Sequence, residues 1–231
     1  MTSMQERGRY RSFEVSNSTV AGVFGWMFYG LFLTALASFG FFLLAANNIV
    51  PVDTYFTIVS IASIVYFVFS FIATFIMAYT QKKVVGVIVY SIYSLILGVA
   101  LSSIFVAANL SEIFYAFGIT SIIFGIMAIY GYFTKRNLTS FMTLLTMFLI
   151  GAMIMSVVNF FIGAEGIFWL VSYIVLAVVI GYVAYDVQRI KKAARAGALV
   201  NGYPIFLAFN LYTDFISIFL RILVLIMRNR D

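Results

Sequence analysis

The sequence predicts an all-α integral membrane protein, a bundle of seven transmembrane helices with the last helix at its centre. Three observations predict it. Hydrophobic residues make up 64% of the 231 residues and charged residues 10%, with a mean hydropathy of +1.10. A soluble domain carries roughly 25% charged residues, so this chain has too few to cover a surface in water. Apolar segments long enough to cross a bilayer, about 20 residues each, recur seven times. The breaks between them are short, and their basic residues fall on alternate breaks.

The polar residues 1–19 form a tail, and residues 20–228 form a single transmembrane domain. The apolar run after the tail is longer than the roughly 7–15 residue core of a signal peptide, so no cleavage is expected. The segments are Val20–Ala46, Tyr55–Tyr79, Val84–Ala108, Ile113–Phe133, Thr139–Ile162, Ile167–Asp186 and Pro204–Met227. The first break carries Asn47, Asn48 and Pro51; the second is Gln81-Lys82-Lys83; the third holds Asn109 and Glu112. Thr134-Lys135-Arg136-Asn137, Gly163-Ala164-Glu165-Gly166 and the longer stretch Gln188–Tyr203 complete the set. Loops this short make neighbouring helices antiparallel. Within lipid only helices or closed barrels satisfy every backbone group, and barrel strands would alternate over about ten residues.

Charge orients the chain. Arg7, Arg9, Arg11, Lys82, Lys83, Lys135, Arg136, Arg189, Lys191, Lys192 and Arg195 share one side, whereas the opposite loops hold only Asp53, Glu112 and Glu165. The positive-inside bias places the N-terminus in the cytoplasm and, with seven spans, the C-terminus outside. Arg228 and Arg230 run against this; a re-entrant last segment is the alternative. The net charge of +6 is accounted for by orientation, not by a nucleic-acid partner.

The absence of Cys and His excludes disulfides, thiolate chemistry and Cys/His metal sites. Any proton response must come from carboxylates. No nucleophile–base pairing, phosphate-cradling loop or zinc-protease motif is present, and neither intramembrane aspartate is preceded by Gly-x-Gly, the pattern of an intramembrane aspartyl protease. The chain therefore reads as a non-enzyme with no cofactor.

Asp186, Asp214 and Arg221 stand apart because they fall in or at the end of apolar segments. A charge there costs at least about 2.5–3.5 kcal/mol unless paired or hydrated, which makes it a functional candidate. Asp186 ends the sixth segment; as a structural group it would snorkel and pair with Arg189 or Lys191. Asp214 lies about ten residues into the seventh segment, roughly 15 Å deep. Asn210, Asp214, Ser217 and Arg221 follow helical spacing and form one polar stripe, which must turn away from lipid. The static alternative is an Asp214–Arg221 lock, although the two lie about two turns apart. If the sixth helix extends past its loop boundary, Asp186 and Asp214 can face each other. Two close carboxylates do not both ionise easily; they share a proton and titrate as a unit. They also offer two oxygen ligands, a weak and transient site for calcium. Tyr182, Tyr185 and Tyr212 are placed to bond the pair.

Small-residue stripes, Ser91/Ser94/Gly98/Ser102 and Gly118/Ser121/Gly125/Ala128, are expected to pack helices closely. Asn159 reads as polar glue, and the 26 Phe and 15 Tyr as mostly lipid-facing or interfacial.

Tyr185-Asp186-Val187-Gln188-Arg189-Ile190-Lys191 and Ala208-Phe209-Asn210-Leu211-Tyr212-Thr213-Asp214-Phe215-Ile216, with Thr120–Tyr132 and the loop Thr134–Leu138, resemble the Bax-inhibitor family, in particular its short bacterial members. The resemblance spans most of the chain after Val20. It implies a seven-helix bundle with a central last helix, and a pH-sensitive calcium leak in which Asp186 and Asp214 sense protons, closed when the pair is protonated or bridged. In some family members a basic residue near the cytoplasmic end of the second helix latches onto the aspartates. Here that end reads Ala78-Tyr79-Thr80-Gln81-Lys82-Lys83, and Tyr55–Tyr79 contains no acid; Lys82 or Lys83 is the possible latch. The expected function is a calcium or other cation leak in a bacterial inner membrane. The alternatives are a regulator that binds a membrane protease or stress-response partner without transport, and a proton-coupled transporter of a small solute.

Overall fold

The computed structural model describes the backbone of residues 2–80 and 82–228, with side chains from residue 19 onward. The tail charges Arg7, Arg9 and Arg11, and Arg230, therefore lie outside the described side chains. The described residues form helices joined by short loops, with no strand. The helices are α1 (Thr2–Ala46), α2 (Val52–Tyr79), α3 (Lys83–Leu101), the single turn α4 (Ile104–Ala107), α5 (Leu110–Phe133), α6 (Thr139–Ile162), α7 (Glu165–Arg195) and α8 (Tyr203–Arg228). Seven spans are long and apolar enough to cross a membrane; α3 and α4 together make the third, Lys83–Ala107. Their bounds follow the apolar segments closely except in the sixth. There α7 continues about nine residues past Asp186 to Arg195, because Val187–Ala194 holds no helix breaker.

Two compact units can be distinguished. In the first, α1 and α2 pack on α3, joined by residues 203–212 of α8. Ser94 and Ser102 are buried. A Cβ on Gly98 would lie 2.6 Å from both the Thr34 carbonyl oxygen and Ala37 Cβ, so this stripe lets α1 approach α3 closely. Three tyrosines of this unit do not face the lipid, whereas Tyr79 is exposed. Tyr90, Tyr93 and Tyr212 are buried and meet edge-on, with Phe209 completing the cluster. Their hydroxyls are partnered: Tyr212 with Thr34 Oγ1 at 2.6 Å, and Tyr93 with Tyr66 at 2.8 Å. A buried phenol requires such a partner.

The second unit contains α5, α6, α7 to Lys192, and α8 from Thr213. A Cβ on Gly131 would fall inside the Ala184 carbonyl group, and one on Gly181 would lie 2.6 Å from Leu145 Cδ1. Those two glycines set the α5–α7 and α6–α7 approaches. The small-residue expectation for α5 is corrected. Its buried face is Glu112, Ala116, Thr120, Phe124 and Gly131, while Gly118 and Gly125 have open space where a Cβ would stand. Ser121 is exposed and donates to the Phe117 carbonyl. Small size alone does not choose a face; Phe124 does, by burying its ring against Phe215. Glu112, read as a loop carboxylate, stands buried in the first turn of α5. Asn159 Oδ1 is buried without a hydrogen-bond partner among the described residues, so it bridges no helices.

Candidate functional site: two buried carboxylates on α7 and α8

Asp186 and Asp214 both belong to the second unit. Asp186 stands about nine residues before the end of α7, and Asp214 about eleven residues after the start of α8. At 1.5 Å per residue these are depths of roughly 13 and 16 Å along the two helices. The extension of α7 is what carries Asp186 inward. Each residue is only 8% exposed, and the two carboxylates are close enough for the charge of Asp186 to act on Asp214.

Their partners are few. Asp214 Oδ2 is fully buried and accepts no hydrogen bond from any described residue. The guanidinium of Arg189, three positions along α7, acts on Asp186 electrostatically. The helix-end role drawn from the sequence holds for its Arg189 partner and is corrected in position, since Asp186 is buried. Lys191 donates to the Tyr132 carbonyl and lies 4.8 Å from the centre of that ring. The static lock on Asp214 also fails as drawn. Arg221 Nη1 donates to Ser172 Oγ of α7 at 3.4 Å, and about two turns further on, Arg228 lies 3.9 Å from the centre of the Phe168 ring. These two contacts pin the later part of α8 to α7 without using the acids.

The tyrosines are corrected too. Tyr182 donates to Thr146 Oγ1 at 3.3 Å, Tyr212 is bound to Thr34, and Tyr185 is half-buried; among the described residues none of the three hydrogen-bonds Asp214 Oδ2. Of the rest of the stripe, Ser217 donates to the Thr213 carbonyl at 2.7 Å and Asn210 is half-buried. In the first unit, Lys83 Nζ lies 5.8 Å from the Trp26 ring centre, and Lys82 is exposed.

One polar residue escaped the sequence reading. Gln188, assigned to the loop after the sixth segment, is 5% exposed and grips the α5–α6 loop with both ends of its amide. Its Oε1 accepts from the Leu138 N–H at 3.1 Å, and its Nε2 donates to the Arg136 carbonyl at 2.7 Å. The signal available was its position two residues after Asp186, on a segment with nothing to end the helix.

Comparison with known proteins agrees with the motifs. The family model described as "Inhibitor of apoptosis-promoting Bax1" matches residues 16–231. The inner membrane protein YbhL of Escherichia coli is 36% identical over 213 residues, covering 88% of each chain. An uncharacterized protein of Borreliella burgdorferi is 29% identical over 222 residues, covering 94% of each. An uncharacterized protein of Rickettsia prowazekii is 35% identical over 147 residues, covering 62% of each. Seven apolar spans and a family match that takes in both aspartate motifs lead to one assignment: this chain is a multi-pass membrane protein of the Bax-inhibitor family.

Proposed function

We propose that this protein is a cation leak, with calcium as the permeant ion, governed by the protonation state of the Asp186–Asp214 pair. The observation that carries the reading is the burial of both carboxylates within charge-interaction range of each other, with Asp214 Oδ2 lacking a hydrogen-bond partner. A group held so deep, without a cation bonded to it, is costly unless it is used. Two carboxylates that cannot ionise together titrate as one device. With one shared proton the pair carries a single negative charge and the path is closed. With that proton gone, two oxygen ligands face a divalent cation, enough for transient coordination and too few for storage. Arg189 stands three positions along α7 from Asp186, and Asn210 and Ser217 supply the polar continuation of the α8 stripe. The proposed setting is a bacterial inner membrane, as the name of the Escherichia coli relative states for that protein, with the N-terminus in the cytoplasm.

The test is calcium entry into dye-loaded liposomes of the purified chain from about pH 5 to 8, beside Asp186→Asn and Asp214→Asn. Flux that rises with pH in the wild type, and a flattened response in either variant, is the expected outcome. No flux above empty liposomes at any pH from folded protein overturns the leak.

A second reading has its own observation. Gly118, Ser121 and Gly125 leave an open small-residue face on α5, of the kind that accepts a helix of another membrane protein. A regulator that binds such a partner without transport would give no flux and a stable complex sensitive to Gly118→Leu.

A further inference from the structure

Asp186 belongs to a stretch of α7 that is enclosed on every side: Val183, Ala184, Asp186, Val187, Gln188 and Ile190 are all buried. One face of that stretch is tied down at four points. Ala184, Gln188, Lys191 and Lys192 follow the spacing i, i+4, i+7, i+8 of a single helix face. The Ala184 carbonyl lies against Gly131 with no room for a Cβ. Gln188 bonds the Leu138 N–H and the Arg136 carbonyl. Lys191 donates to the Tyr132 carbonyl, and Lys192 Nζ donates to Asn137 Oδ1 at 2.9 Å. Every partner lies in residues 131–138, the end of α5 and the loop after it.

Asp186 is turned the other way. Two residues along a helix rotate the side chain by about 200°, so Gln188 faces the loop while Asp186 faces away from it, where its charge acts on Asp214. Gln188 therefore does not hold the carboxylate itself; it holds the helix that carries it. The four ties are unequal. Lys192 is exposed and Lys191 half-buried, and their flexible four-carbon stems can follow a moving partner. The glycine contact sets a distance between helices. The Gln188 amide is 5% exposed and uses both ends, so a slip of α7 by one residue, about 1.5 Å with a turn of 100°, breaks both bonds at once.

We propose that Gln188 is a positioning residue for the aspartate pair: by fixing the rotation and depth of α7 against the α5–α6 loop, it keeps Asp186 opposite Asp214. The inference rests on the pair being the proton-sensing gate proposed above. Repulsion between two carboxylates falls as they separate, so a pair moved apart loses its shared proton at lower pH. The surrounding charges leave that separation in control. Arg189 is the cation that acts on Asp186, and α6 carries no ionisable residue. Arg221 and Arg228 of α8 are engaged by Ser172 and Phe168. On α5, Glu112 stands in the first turn, at the far end from Gly131, and Tyr115 and Tyr130 are exposed.

The test is a pH titration of the protonated-carboxyl infrared band of the full chain in lipid nanodiscs, with calcium flux into liposomes measured in parallel. Asp186→Asn and Asp214→Asn identify the band. In Gln188→Met, which keeps the length and loses the amide, the midpoints of band and flux are expected to fall together by at least about half a pH unit. Gln188→Asn, too short to reach both partners, should shift them the same way, and it serves if the methionine variant does not fold. Thr139→Val loosens the same loop by removing its hydroxyl bond to Asn137 and leaves Gln188 in place; its midpoint should equal that of the wild type. A midpoint that stays or rises in the Gln188 variants, or that falls equally in Thr139→Val, overturns the positioning role and leaves Gln188 as a fastener of the loop. A wild type with a titrating band and no flux overturns the leak alone, because the band still reports the pair. A wild type with no titrating carboxyl band overturns both.

Discussion

At the scale of single residues, the distinction that matters is between a carboxylate that holds the fold and one that the fold tolerates. Asp214 has one oxygen without a hydrogen-bond donor, and the nearest intramembrane cation on its own helix, Arg221, is bonded to Ser172. Asp214→Asn is therefore expected to leave the melting temperature of the detergent-solubilised chain unchanged or higher, while flattening the pH response of calcium flux. A carboxylate in a structural ion pair would behave oppositely, losing about 3–5 kcal/mol on removal of one partner. Gln188 is the converse case. Gln188→Leu leaves the Leu138 N–H and the Arg136 carbonyl without their partners, at about 1–3 kcal/mol for each buried group. Amide exchange at Leu138 should accelerate at least tenfold, with the helical amides of α6 protected as before.

Elements are set by where backbones touch. The α5–α7 approach depends on Gly131, which faces the Ala184 carbonyl with no room for a Cβ. Gly131→Val is expected to cost about 3 kcal/mol or to prevent folding, as overpacking at a backbone contact allows no repair by rotamer change. Gly118→Leu on the same helix faces open space, and its melting temperature should stay within the error of the wild type. Thermal denaturation of the two variants side by side separates the packed face of α5 from the unoccupied one. On α6, Gly163 closes the helix at φ +69°, a left-handed conformation that glycine adopts without penalty. On α7 the absence of any comparable stop carries the helix through Asp186 to Arg195.

For the whole molecule, orientation is testable directly because the chain contains no cysteine. A single cysteine at Lys135 should react with a membrane-impermeant maleimide only after cells are opened, and one at Asp53 should react in intact cells. Reversed labelling would invert the topology drawn from the charge bias.

Span number, the bounds of every span but the sixth, and the identity of the two intramembrane acids were legible in the sequence. Apolar length and the rarity of charge are properties of composition along the chain, and a bilayer acts on each segment separately. The family motifs were legible for a similar reason, since they are contiguous runs around Asp186 and Asp214. Faces were not legible. Which side of α5 is buried, why Tyr90, Tyr93 and Tyr212 leave the lipid, and why Arg221 bonds Ser172 are decided by side chains distant in sequence, through contacts that helical spacing does not specify. Whether Asp186 is a helix-end group or an interior one also depended on the tertiary structure. The sequence shows only that nothing stops the helix after Asp186, and the clamp of Gln188 on the α5–α6 loop is what uses the extra turns.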